Sequence, residues 1–278
     1  MSLDAAILHL RRLPEHRFLV EESYLGEDVF ESAGRFFKTG EFSEVQRLLA
    51  RRGGIAGKRV LDLGAGRGIS SWAFCQAGAA QVLAIEPDPS ELVGRGSLVQ
   101  LMQGQPYELI DAFGESVPVP DASVDIAYCR QVLHHTSDLP KVMRELYRVL
   151  KPGGQLLCCR EHVANNAVEL AAFLRSHIVH NLAGGEHAYS ERAYRDAISR
   201  AGFRRLKANS ELSSVISAFP QRRTRQEVDA FFEELMVERF GKLWSVASLV
   251  PGARALMLNR SNRHLPPGRM YTFYAVKP

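Results

Sequence analysis

The stretch Asp62–Gly68, Asp-Leu-Gly-Ala-Gly-Arg-Gly, constrains this chain more than any other. Val60, Leu61 and Leu63 form the short apolar run that a parallel strand buried on both faces requires. Gly64, Gly66 and Gly68 then let the backbone turn sharply, with no Cβ between it and a ligand, so the turn is expected to offer bare amide groups. Ile69–Ala77 follows with helical spacing and stops at Gly78. Strand, glycine turn and helix in this order make the first βα unit of a nucleotide-type Rossmann site. The plainer alternative is a glycine-rich turn in some other α/β domain.

The spacing narrows the ligand. A dinucleotide fingerprint reads G-x-G-x-x-G; here the pattern is G-x-G-x-G, and Ile69 stands where the third glycine would be. Asp62, just before the turn, would repel a pyrophosphate and suits a ligand carrying an ammonium group. About 20 residues on, Val82–Ile85 reads as a second apolar strand ending in Glu86, whose carboxylate can accept hydrogen bonds from a ribose diol.

The rest of the chain alternates strands and helices. Strands are predicted at 58–63, 81–86, near 107–110, 124–129, 154–160, 203–208 and 271–276. Helices are predicted near 69–78, 89–102, 138–150, 165–181, 190–201 and 227–239, the last with Val228, Phe231, Phe232 and Leu235 inward. Such alternation marks a doubly wound parallel sheet. Lys151-Pro152-Gly153-Gly154 stops one helix and turns into the fifth strand. Residues 1–57 are helical in pattern, with Phe42, Val45, Leu48 and Leu49 on one face.

With 278 residues, 46% hydrophobic and 24% charged, the composition is that of an ordinary globular chain. A net charge of +4, with arginines scattered in pairs such as Arg51-Arg52 and Arg204-Arg205, lacks the basic stripe of a duplex-binding protein. No nucleic-acid partner is expected. Neither is a membrane span or signal segment, and the expected setting is the cytoplasm. Cys75, Cys129, Cys158 and Cys159 fall inside apolar helix or strand without metal-ligand spacing, so free buried thiols and no metal are expected.

Four further blocks follow the first two in order: Gly114-Glu115-Ser116-Val117-Pro118-Val119-Pro120-Asp121, Ser123-Val124-Asp125-Ile126-Ala127, Val132-Leu133-His134-His135, and Leu146 through Gly154. Together with Asp62–Gly68 and Glu86, this set resembles the type 11 small-molecule methyltransferases of the class I S-adenosylmethionine-dependent superfamily. The resemblance is strong over residues 58–160. It implies a Rossmann-like, seven-stranded sheet whose last strand is antiparallel, helices on both faces, an N-terminal helical cap (1–57), a core (58–160), and a C-terminal half (161–278) with a substrate lid near 210–270. The implied cofactor is S-adenosyl-L-methionine. The resemblance places Asp62, Gly64 and Gly66 along the methionine end, with Ala65 and Gly68 also among the cofactor-binding residues, Glu86 on the ribose, and Pro87 near the adenine. The acid that usually receives the adenine amino group is replaced by Phe113, with Asp111 upstream. Adenine is therefore expected on Phe113 and the Gly114 backbone. Arg130 is expected beside the cofactor's carboxylate.

For an acceptor hydroxyl a base is needed. Ligands of open α/β sheets sit at the carboxyl ends of the strands, where His134, His135, Glu161 and His162 lie. His135, Glu161 and His162 are the catalytic candidates, with His187 and Tyr189 in a loop that folds over the same cleft. The structural alternatives are a loop-orienting role for His134-His135 and a buried charge pair within Arg160-Glu161-His162. The expected activity is methylation of a small molecule or sugar-containing intermediate at oxygen, by a monomer or homodimer. Methylation of RNA or protein, or cofactor binding without catalysis, are the rival classes. Cys129-Arg130-Gln131 after the fourth strand is unlike the Asn-Pro-Pro-aromatic run of amino-directed nucleic-acid enzymes.

Overall fold

The computed structural model describes residues 2–278, except for the side chain of Arg263. Seven strands form one sheet: β1 (Arg59–Leu63), β2 (Gln81–Ile85), β3 (Tyr107–Ile110), β4 (Val124–Arg130), β5 (Leu150–Val163), β6 (Arg204–Ser210) and β7 (Arg269–Val276). Their order is β3-β2-β1-β4-β5-β7-β6, with β7 antiparallel to both neighbours. The expected seven-stranded doubly wound sheet is therefore present, its last strand reversed. Strand order changes direction between β1 and β4, and the carboxyl ends of those two strands open the crevice where ligands of such sheets bind.

Period-two alternation decides which helices cover which face. Leu61, Leu83, Ala127, Cys129, Leu156 and Phe273 face one layer; Val60, Val82, Ile126, Tyr128, Leu157 and Tyr274 face the other. The N-terminal residues fold as α1 (Leu3–Arg11), α2 (Arg17–Glu22), α3 (Val29–Phe37) and α4 (Gly40–Ala50). The crossovers are α5 (Ile69–Gln76), α6 (Arg95–Met102), α7 (Leu139–Val149), α8 (Ala167–Ser176), α9 (Ile178–Ala183) and α10 (Glu191–Arg200). Helices α7 and α10 pack on the first face, through Val142, Met143 and Leu146 and through Tyr194, Ala197 and Ile198. Helices α3, α4 and α5 cover the second with Phe36, Phe42, Val45, Leu49, Ala73 and Phe74.

Three expectations are corrected. The helix expected from residue 89 begins at Arg95, because Asp88 and Ser90 side chains take up the amides of Ser90, Leu92 and Val93 in a capped turn. The helix expected over 165–181 breaks at His177, which turns extended and caps α9 by accepting from the His180 amide. The fifth strand runs to Val163: Arg160 adopts φ +58 at a register shift, after which Glu161–Val163 resume pairing with β7.

The insertion after β6 forms α11 (Val215–Ala218), α12 (Arg225–Phe240), α13 (Lys242–Ala247) and α14 (Ala253–Ser261). Phe232, Met236 and Trp244 of this unit bury against Leu212 in a small core of their own. The buried stripe of α12 is Val228, Phe232 and Met236, while Phe231 and Leu235 are half-buried. Among the described residues, no helix is long and apolar enough to cross a membrane.

Candidate functional site

A cavity of about 910 Å³ opens at the carboxyl ends of β1, β2 and β4. Its wall includes Gly64 and Gly66 from the first turn, Glu86, Pro87 and Asp88 after β2, Phe113 and Gly114, and Gln131, Val132 and His135 after β4. Leu3 of α1 reaches it from the N-terminal helices, whereas none of the described residues of the 210–270 insertion lines it. The N-terminal helices thus touch this cavity through Leu3.

The glycine turn works by space more than by free donors. The amides of Gly64 and Ala65 both donate to the Ile85 carbonyl, at 2.9 and 3.0 Å, and that of Gly68 to Ala65. The Gly66 amide donates to Glu86 Oε2 at 2.6 Å. These four amides are not bare, contrary to expectation. Positive φ at Gly64, Gly66 and Gly68 makes this self-bonded turn, and at Gly66 a Cβ would meet nothing nearer than the Val93 carbonyl at 3.4 Å. Ala65 and Gly68 stand behind the wall; a Cβ on Gly68 would strike Leu98, so that glycine serves the packing of α6.

Glu86 is the anchored acid of the site. Besides Gly66, the Asp88 amide donates to its other oxygen at 2.9 Å. Burial raises its carboxyl pKa, against the pull of those two amides. Asp62 lies behind the turn and accepts from Ser71 Oγ at 2.7 Å. Burial pushes its carboxyl up to about 7, and the nearby Glu86 charge adds to the rise. Phe113 is 69% exposed on the cavity rim, an uncovered aromatic face, and Asp111 beside it pairs with Arg95. Gln131 holds φ +55 at the end of β4, a conformation few non-glycine residues adopt, and such strain gathers at working sites. Gln131, Asp88 and Lys141 line the wall without having been singled out; only Asp88, two residues after Glu86, carried a signal in its position.

Arg130 does not reach the cavity. Its guanidinium is bound by Glu41. Of the three catalytic candidates, only His135 lines the wall. Glu161 is fully buried and accepts from the amides of Val132 and His134 and from His134 Nδ1 at 2.7 Å. It therefore shapes the loop after β4. His162 is buried among Phe173, His177 and His134, donates from Nδ1 to the Gly268 carbonyl at 2.7 Å, and is held neutral by burial, its pKa lowered to about 3. Both lie inside β5 because the strand continues past Arg160, whose own guanidinium donates to the Ile216 and Phe219 carbonyls rather than pairing with Glu161. The loop 184–189 does come over the site: Tyr189 donates to the Thr136 carbonyl at 2.6 Å, and Gly185 and Glu186 stand over the two histidines.

Fold and cavity together define a doubly wound α/β domain with a cavity at its switch point. Residues 61–158 match the family described as "Methyltransferase domain". Over 107 residues the chain is 36% identical to an "Uncharacterized methyltransferase" of Mycobacterium ulcerans (strain Agy99), which covers 38% of this chain and 40% of that one. Over 141 residues it is 33% identical to the "Ubiquinone biosynthesis O-methyltransferase" of Pseudomonas entomophila (strain L48), covering 49% and 59%. The chain thus spans about half the length of these curated relatives. The crystal structure of YcgJ from Bacillus subtilis superposes with a TM-score of 0.52 at 20% identity, over 85% of this chain and 98% of that one, a likeness of fold. Over residues 61–158 the chain is thus similar to methyltransferase domains, on a fold that it shares with the YcgJ structure.

Proposed function

We propose that the chain binds S-adenosyl-L-methionine in the cavity between β1 and β4 and methylates a small molecule, such as a sugar-containing biosynthetic intermediate, at an oxygen atom. Bound there, the cofactor supplies a methyl group already activated by its sulfonium charge. Glu86 carries this reading: its carboxylate is held by the Gly66 and Asp88 amides on the cavity wall, and it keeps lone pairs for a ribose diol. The Glu86 carboxylate on the wall favours a cationic ligand over a pyrophosphate. Phe113 offers a face for adenine, with the Gly114 backbone beneath it. Gly66 leaves room for the ligand, and His135 is the group assigned to meet the acceptor.

The cavity lies within the range of small-molecule sites, roughly 300–1,000 Å³, which supports a small acceptor. Similarity to proteins named as O-methyltransferases supports the acceptor atom. Hydrogen bonds to a charged group contribute about 1.5–3 kcal/mol each. Calorimetric titration with S-adenosylmethionine should therefore show at least a tenfold loss of affinity in Glu86→Ala, with cooperative melting retained. Unchanged affinity would overturn the assignment. Methyl transfer from labelled cofactor should then be found with hydroxylated small molecules; transfer confined to RNA or protein would overturn the acceptor class.

A further inference from the structure

His134, His135 and Glu186 converge from two distant segments of the chain. Glu186 Oε2 lies 3.6 Å from His134 Nε2 and 3.9 Å from His135 Nε2. One ligand atom from each residue falls within 4.8 Å of the other two. The protons are already committed on the far side of both rings. His134 Nδ1 faces the Glu161 carboxylate at 2.7 Å and His135 Nδ1 faces the Gly185 carbonyl at 3.2 Å. Both partners only accept, so each Nδ1 is the N–H and each neutral ring turns the lone pair of its Nε2 toward Glu186. Glu186 Oε2 is itself buried and accepts no hydrogen bond. Three electron-pair donors thus face one another with no donor hydrogen among them.

We infer that these three side chains hold a divalent transition-metal cation. Two imidazoles and one carboxylate suit zinc and its first-row neighbours, whereas magnesium and calcium take oxygen ligands. Metal bonds of about 2.1 Å in a tetrahedral site put ligand atoms about 3.4 Å apart, so the two spacings to Glu186, 3.6 and 3.9 Å, need to close by about half an ångström or less. The Glu161–His134 and Gly185–His135 contacts are the outer-shell bonds that fix the tautomer and aim of ligating histidines. Three protein ligands leave coordination positions open, and His135 lines the cavity wall. The cation would then lie where an acceptor oxygen approaches and would hold and polarise it. That role rests on the methyltransferase reading above; the site itself does not. This site departs from the expectation that the chain holds no metal, and the cysteines take no part in it.

The full-length chain, freed of metal by a chelator, is titrated with Co²⁺ and then Zn²⁺. One Co²⁺ should bind per chain with visible d–d bands that Zn²⁺ abolishes. Loss of an outer-shell partner alone typically weakens metal binding 10–100-fold, so Glu186→Gln and His135→Ala should each weaken it by at least tenfold. His135 has a 43% exposed side chain, and its variant keeps the test decisive if Glu186→Gln fails to fold. Absence of stoichiometric binding, or bands that persist in the variants, would overturn the site. S-adenosylmethionine titrated into the same metal-free sample separates the two ideas. Cofactor binding without metal binding removes only this inference, and the reverse removes only the methyltransferase reading.

Discussion

Arg130 and Glu41 form a buried, two-pronged ion pair, with Nε to Oε1 at 2.7 Å and Nη2 to Oε2 at 3.1 Å. Glu41 is wholly inaccessible, and the guanidinium carbon lies 5.3 and 5.4 Å from the ring centroids of Tyr24 and Phe36. Burial alone would lower the Arg130 pKa, but the Glu41 charge more than reverses this, so the arginine stays charged. The pair ties the end of β4 to α4 and the N-terminal cap. It also explains why this arginine is not free to face a ligand.

Breaking that pair should cost stability first. Arg130→Ala leaves an uncompensated buried carboxylate, and loss of one partner of a buried pair costs about 3–5 kcal/mol. Urea denaturation should show a loss of that size, partly recovered in Arg130→Met/Glu41→Leu. Cofactor affinity of the folded fraction should stay close to that of the parent protein. A large affinity loss with unchanged stability would instead return Arg130 to the ligand.

The two glycines on the cavity wall should respond differently. A Cβ on Gly64 would lie 2.2 Å from Val132 Cγ2, at a φ of +66. Gly64→Ala should therefore lower the melting temperature strongly, and Gly64→Ala/Val132→Ala should recover part of the loss. At Gly66 only the positive φ opposes a side chain, a strain of roughly 1–2 kcal/mol. Gly66→Val should still melt cooperatively yet fail to bind S-adenosylmethionine in calorimetry. Normal binding by Gly66→Val would make the turn purely structural.

Asp62 makes stability depend on pH in a known direction. Its carboxyl is raised from 3.8 to about 7, with burial the largest cause. Between those values the folded chain keeps a proton that the unfolded chain has released, so stability is lost as pH rises through this window. Asp62→Asn is neutral throughout and can still accept from Ser71. In cofactor-free protein its stability relative to the parent should therefore grow from about pH 4 to pH 8, by at most about 4 kcal/mol at 1.36 kcal/mol per unit. Urea denaturation of both proteins across that range checks this, and a constant difference would show that Asp62 does not titrate in the folded state.

Much of the frame was legible in the chain. Mostly apolar runs at 60–63, 82–85 and 124–129 became β1, β2 and β4, because a strand covered on both faces needs apolar residues on both sides. Lys-Pro-Gly-Gly marked the end of α7, while its start is fixed by Asp138, which accepts from the Lys141 amide. The misjudged boundaries, at 89–94, at His177 and beyond Arg160, were decided by a capped turn, a helix cap and a register shift against β7. The length of an apolar run carries no mark of those.

What the sequence determined by itself is local: strand periodicity, the position of the glycine turn, and an acid after the second strand, each written within a few neighbouring residues. Only the tertiary structure decided that Arg130 is consumed by Glu41, 89 residues away, that Glu161 and His162 point into the interior while His135 meets the cavity, and that Glu186 comes to rest against two histidines. The physical reason is that the use of a polar side chain depends on which partner reaches it first in space. Charge pairing and burial act over a few ångströms between segments far apart in the chain.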